Sequence, residues 1–232
     1  MIIAIHQPQY MPWSGYFHKM ASVDRFIMLD NVQFKKNEWQ HRNRIRGPNG
    51  PQWLTVPITY KFPQLISEVG IADGQQWRTK HLRSIEACYK KSRYYQEYSG
   101  QFEAFFDHDY ATISECNIRS VRLLAGCLGI VTPIDVASSF TAEGSSTQRL
   151  VNICRHFGAD TYLAGAGGRD YMDMALFEAA GIAVRFQQFG PPLYPQLFCK
   201  EADDFVAGLS AIDLLFNCGP DSSALLMRTA SS

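Results

Sequence analysis

"MIIAIHQPQYMPWSGYFHKMASVDRFIMLD", residues 1–30, decides the fold. An apolar run, Met1 to Ile5, stops at His6 and reads as a short buried strand. "GYFHKMASVD" (15–24) fits two to three turns of helix, and "RFIMLD" (25–30) is a second apolar strand. Strand, helix and strand within thirty residues is the spacing of a βαβ unit. Between the first strand and the helix lies an aromatic, proline-stiffened loop carrying Tyr10, Trp13 and Tyr16. Those rings either wall off the end of a core or line a pocket.

Outward from this unit, "WLTVPI" (53–58) and "LISEVGI" (65–71) are further strand candidates. From Gln75 the apolar spacing turns helical, with helices expected over 75–92, 94–106 and 110–128. The second half alternates: strand 131–138, helix 145–158, strand 160–165, helix 171–181, strand 182–189. An apolar helix follows at 210–217, and a frayed tail at 227–232. Nearly continuous apolar strands joined by helices describe a parallel sheet buried on both faces. The expectation is one α/β domain over 1–232, a Rossmann-like, mostly parallel sheet flanked by helices, with a helical segment of about 75–128 inserted.

Composition bounds the function. The chain of 232 residues is 46% apolar and 19% charged, ordinary for a folded domain. It has no apolar run long enough for a membrane span and no signal-peptide pattern. Six scattered cysteines without a Cys-x-x-Cys pair read as buried free thiols, which places the chain in a reducing cytoplasm. The formal net charge is zero, yet residues 1–93 carry 14 Lys+Arg against 6 Asp+Glu, and residues 94–232 carry 8 against 16. The neutral total argues against a general nucleic-acid binder; the basic part suits an anionic ligand.

In an open parallel sheet, ligands bind beyond the carboxyl ends of the strands. Three loops qualify. The first, "HQPQYMPWSGY", offers His6 and Gln7 as polar groups and Tyr10, Trp13 and Tyr16 as flat faces; Lys19 lies on the helix behind it. The second follows Asp30 and contains Gln33, Lys35, Lys36, Asn37, Trp39, Arg42, Asn43 and Arg44, a mixture of cations, amides and a tryptophan that fits an anion. The third, "GAGGRDY", sets Gly165, Gly167 and Gly168 before a helix, where backbone N–H groups can approach an anion. Asp170 is placed to cap that helix, and Tyr171 follows it. His6, Lys19 and Asp30 are the catalytic candidates; His81, on the 75–92 helix, joins the binding set. No His pair at i,i+4 and no carboxylate cluster supports a metal site, and no Gly-x-Ser-x-Gly elbow supports a serine hydrolase.

"IHQPQYMPWSGYFHKMASVDRFIMLDNVQFKKNEWQHRNRI", "WLTVP", "YLAGAGGRDYMD" and "LSAIDLLFNCG" resemble the signature blocks of the WbqC-like family, along essentially the whole chain. The resemblance implies a role in bacterial surface-polysaccharide and O-antigen biosynthesis, with transfer of glycine or another acyl group to a nucleotide-linked amino sugar as the suggested chemistry. Ala164 departs from the pattern, which has a small hydroxyl residue there; one hydroxyl contact is lost and the backbone cradle remains. A fainter likeness is to Rossmann-like nucleotidylyltransferases, although their His-x-Gly-His pair is absent. The implied partner is a small anionic substrate. The activated donor is either a charged tRNA or an adenylate made in the site, and the second route implies ATP and Mg²⁺. Two rivals stand beside this reading. One is a nucleotidyl- or adenylyl-transfer enzyme; the other is an RNA-binding module, which requires aromatics in a line along an open surface.

Overall fold

The computed structural model describes residues 1–72 and 75–228. β1 (Ile2–His6) and β2 (Arg25–Met28) pair in parallel, from Ile3 opposite Arg25 to His6 opposite Met28, with α1 (Ser14–Ala21) between them. A long crossover follows, carrying β3 (Arg42–Gly47), β4 (Gly50–Thr55), β5 (Ile58–Thr59), β6 (Gly70–Ile71), α2 (Gln75–Tyr89), α3 (Tyr95–Asp107) and α4 (Ile113–Cys127). The chain then returns to the sheet with β7 (Ile134–Val136), α5 (Ser146–His156), β8 (Thr161–Ala164), α6 (Met174–Ala179) and β9 (Ala183–Phe186). It ends in α7 (Ala211–Cys218) and α8 (Asp221–Met227).

The main sheet has the order β7-β2-β1-β8-β9, with every pairing parallel. Strand order reverses between β1 and β8, so the switch point of this doubly wound, Rossmann-like sheet lies at the carboxyl end of its first strand. The two-residue period of a strand divides the core. Ala4, Phe26, Met28 and Leu163 face one apolar cluster, with α1, α2–α4, α7 and α8; Ile3, Ile5, Ile27, Tyr162 and Ala164 face the other, with α5 and α6.

Several local expectations change. The basic loop after β2 is half strand: residues 42–47 pair antiparallel with β4, Arg44 opposite Trp53. Residues 65–71 form a 3₁₀ turn at Ile66–Glu68 before the two-residue β6. The glycine segment is a 3₁₀ turn, Ala166–Asp170, and α6 begins only at Met174. Asp173, not Asp170, caps that helix, accepting the Ala175 N–H at 3.0 Å. The expected frayed tail starts inside α8, and its residues 229–232 lie outside the described residues. All six cysteines carry free thiols; Cys127 and Cys199 are half-buried rather than buried.

One buried carboxylate ties α7 to α2 and to the segment that precedes α7. Asp213 on α7 accepts from Tyr89 Oη at 2.8 Å, Tyr194 Oη at 2.6 Å and Gln196 Nε2 at 2.6 Å. Burial raises its pKa above the ordinary carboxylate value.

Candidate functional site

The aromatic loop first serves the core. Tyr10 and Met11 are fully buried and Tyr16 nearly so. A loop with two prolines has no ladder to satisfy its backbone, so buried side-chain amides do it. Asn43 Nδ2 donates to the carbonyls of Tyr10 (3.2 Å) and Met11 (2.7 Å), and Asn117 Nδ2 donates to that of Pro8 at 3.1 Å. Trp13 packs edge-on to Phe189 at 5.5 Å, and its indole lies where a Cβ on residue 15 would sit, 2.3 Å away; only glycine fits there. Tyr10, Trp13, Tyr16 and Asn43 are therefore scaffold to the loop. Among the loop's polar candidates, His6 and Gln7 reach open space.

That space is a cavity of about 770 Å³ at the switch point, within the range of small-molecule sites. β1 contributes Ile5, His6 and Gln7, and α1 contributes Lys19. The segment after β2 adds Asn31, Gln33 and Lys35; the start of α5 adds Gly144, Ser145, Ser146 and Arg149; the turn after β8 adds Gly165, Gly167, Gly168 and Tyr171. Three basic side chains, Lys19, Lys35 and Arg149, face this cavity, and among the described residues no carboxylate does. The first turn of α5 brings its free N–H groups and positive dipole end to the same wall. Ser145, its N-cap, makes no side-chain capping bond, and Ser146 holds a left-handed backbone at φ 49°.

Lys19 is the unusual group. It is 2% exposed, and its Nζ donates to the Ile5 carbonyl at 3.2 Å. No carboxylate pairs with it among the described residues. Burial pushes its pKa from 10.5 down to about 7, so the neutral amine is substantially populated near neutrality. His6, half-buried, sits edge-on to Tyr16 at 4.8 Å and its Nδ1 lies 3.0 Å from the Gln7 carbonyl. Burial first, then the Lys19 charge, pulls its pKa to about 3. The imidazole is thus neutral across the physiological range: a hydrogen-bonding group, too weak a base to take a proton at neutral pH.

Two polar atoms of lining residues are buried without a partner: Asn31 Oδ1 and Arg149 Nε. Arg149 is aimed by its Nη1, which donates to the Asn31 carbonyl at 3.0 Å. A bound group that donates to Asn31 and accepts from Arg149 completes both.

Other expected residues lie elsewhere. Asp30 is buried, but it accepts from Ser138 N (2.9 Å), Ser138 Oγ (2.8 Å) and Ser114 Oγ (3.2 Å), lining a separate cavity of about 570 Å³. His81 is buried, 2.8 Å from Tyr10 Oη through Nδ1 and edge-on to Trp77. Lys36, Asn37, Trp39, Arg42, Arg44 and Asp170 are absent from the lining of the central cavity. The "EGSSTQR" segment (143–149) was legible only as a helix start; following the strand-end rule to the loop after β7 would have found Ser145, Ser146 and Arg149. Among the described residues no cluster of three or more His, Cys, Asp or Glu is arranged to hold a metal. A phosphate chain fits the basic set; a Mg²⁺ ion accompanying it would find no carboxylate in the cavity among the described residues. No helix of the described residues is long and apolar enough to cross a membrane.

Comparison with known proteins agrees with the whole-chain resemblance of the signature blocks. The model of the WbqC-like protein family matches residues 7–224. "Uncharacterized protein Rv1507c" of Mycobacterium tuberculosis (strain ATCC 25618 / H37Rv) is 34% identical over 224 residues, covering 95% of each chain. No solved structure matches. With the loop after β1, the glycine turn and α7 inside the family match, and a relative 34% identical along 95% of the chain, the chain belongs to the WbqC-like protein family.

Proposed function

We propose that this protein is a transferase of bacterial surface-polysaccharide biosynthesis that binds a nucleotide-linked amino sugar and acylates its amine. The observation that carries this reading is the charge pattern of the central cavity: Lys35 and Arg149 beside the buried Lys19 and, among the described residues, no carboxylate, at the switch point of a parallel sheet. A diphosphate suits Arg149, the start of α5 and the N–H groups of the glycine turn. Asn31, Gln7 and Gln33 are amides suited to sugar hydroxyls.

In the transfer, the amine nitrogen attacks the acyl carbonyl carbon, a carbon–nitrogen bond forms, and the bond to the leaving oxygen breaks. The attacking amine must lose a proton. Lys19, with a pKa near neutrality and a seat at the end of β1, accepts it on Nζ. His6, neutral, holds rather than moves a proton. Asp30 is a structural anchor in this scheme. The donor is an activated acyl group, since a free carboxylate is a poor electrophile; a charged tRNA and an adenylate both meet that need.

A thermal-shift and calorimetric series over nucleosides, nucleoside diphosphates and nucleotide-linked sugars tests the reading. Saturable stabilisation by the diphosphate compounds but not the nucleosides is expected, weakened about 10- to 150-fold in Arg149→Ala, the range for a lost bond to a charged group. Equal affinity in Arg149→Ala, or no response to any diphosphate compound, overturns it.

A further inference from the structure

We propose that the outer face of the β3–β4 hairpin is a stacking platform for single-stranded RNA, a site separate from the central cavity. Trp39 and Trp53 stack with ring centroids 5.8 Å apart and planes 26° from parallel. Both are exposed, at 38% and 46%. Arg42 lies over Trp53 at 4.5 Å, and Arg44, directly opposite Trp53 in the hairpin register, lies 5.6 Å from Trp53 and 5.9 Å from Trp39. Two indoles and two guanidiniums thus form one ladder on an open surface.

The hairpin alternation explains why this ladder faces outward. Asn43, Ile45 and Leu54 turn into the core, which leaves Arg42, Arg44 and Trp53 on the other face. Arg46, two residues on, is covered: its Nη2 donates to the carbonyls of Phe198 (3.3 Å) and Asp204 (3.4 Å). Trp53 is exposed instead. Beside it a groove of about 460 Å³ opens toward α2, lined by Trp53, Trp77, Lys80 and Ser84 among others.

Charge selects the occupant. Among the described residues Arg42, Arg44 and Lys80 form no ion pair with a carboxylate, and Arg44 Nε is buried without a partner. Arg42 Nη2 donates to the Asn37 carbonyl, which fixes the guanidinium over the ring. An uncharged glycan would use the indoles and leave these cations idle. A single strand uses both, stacking bases on indole and guanidinium planes and setting phosphates on the cations. The platform also connects to the cavity. The Trp39 carbonyl accepts from Tyr10 N (3.0 Å), and Gln40 bridges Lys35 N (2.9 Å) and Gln7 Oε1 (2.7 Å), both of lining residues. A strand on the platform therefore lies one short loop from Lys35.

The test is fluorescence anisotropy with a labelled single-stranded RNA 12-mer, on the full chain, at several salt concentrations. Trp53→Ala and Trp39→Ala are each expected to weaken binding about 5- to 150-fold with unchanged circular dichroism, the range for loss of one stacked base. Arg44→Ala is expected to reduce the salt slope by about 0.7, the value for one released counterion on a single strand. Heparin and a neutral oligosaccharide serve as competitors. Wild-type affinity in both tryptophan variants overturns the proposal. Displacement by heparin at matched charge with no tryptophan dependence assigns the effect to charge alone and overturns it as well. Saturable tryptophan quenching by the neutral oligosaccharide makes the face a glycan site instead. These outcomes are independent of diphosphate binding in the cavity, so this proposal and the transferase reading fail separately.

Discussion

Replacing Lys19 with methionine keeps most of the side chain's volume and removes its charge. In the folded protein the ammonium is buried with one carbonyl partner, and its pKa falls from 10.5 to about 7. That depression corresponds to roughly 5 kcal/mol against the protonated form. The sign follows from proton counts. Between pH 7 and 10.5 the unfolded chain holds a proton on Lys19 that the folded chain has shed, so wild-type stability rises with pH across this window. Below pH 7 both states are protonated and the whole penalty opposes folding. Lys19→Met removes it and leaves the Ile5 carbonyl without its donor, which costs about 1–3 kcal/mol. The variant is expected to be more stable than wild type at pH 6 by about 2–4 kcal/mol. The advantage should shrink by at most about 1.4 kcal/mol per pH unit above 7. Urea denaturation at pH 6, 7, 8 and 9 reads this directly. A variant less stable than wild type at pH 6, or a wild-type curve with no rise between pH 7 and 9, would refute the reasoning. The same variant should lose acyl-transfer activity; stability gained as function is lost marks a residue kept for its chemistry.

The imidazole of His6 behaves in the opposite pH range. Its pKa is about 3 in the folded state against 6.5 ordinarily, so wild-type stability should fall as pH drops from 6.5 toward 3, and His6→Asn should flatten that fall in acid-unfolding curves. Activity should show no limb near pH 6.5 that His6→Asn abolishes. In the glycine turn, a Cβ on Gly167 meets nothing within 4 Å, whereas one on Gly168 meets Ala164 and Met172 at 3.2 Å. Gly167→Ala should therefore keep the melting temperature and weaken diphosphate binding in calorimetry. Gly168→Ala should lose about 1–3 kcal/mol of stability in denaturant titration. Asp213→Ala strands three donors, two of them buried, and should cost about 3 kcal/mol or more, measured by urea unfolding, without altering the affinity of any anion for the folded protein.

The parallel sheet was legible because its strands, such as "IIAI" and "TYLA", are apolar on both faces, a pattern few other contexts require. The hairpin was not. "RNRIRG" alternates with period two, but arginine and asparagine have low strand preference, and the stretch reads as a basic loop until Trp53 is known to lie opposite Arg44. The site divided in the same way. His6, Gln7 and the glycines follow strand ends directly, so the carboxyl-end rule finds them. Arg149 sits a turn into a helix, and nothing local separates it from a solvated arginine. Lys19 could be named as a candidate, but its burial depends on packing between α1 and β1 that no spacing shows. The aromatic loop misled in part: its rings are core, held by Asn43 and Asn117, whose partners lie about 33 and 109 residues away in sequence.

The placement of β1 in the middle of the sheet has a consequence for how the chain is made. β1 is synthesised ahead of both its neighbours, with β2 soon after, yet its other edge pairs with β8, beginning with Ile2 opposite Thr161. At about 5–20 residues per second, that edge waits roughly 8–30 s for its partner. During that interval an apolar strand presents unpaired N–H and C=O groups to the crowded surroundings of the ribosome, the condition under which strands pair with the wrong chain. The central cavity is incomplete for the same period, since the glycine turn follows β8. Folding of this protein is thus tied to its second half, and a nascent chain cut off before residue 161 is expected to collect in the insoluble fraction with the β1 edge still open.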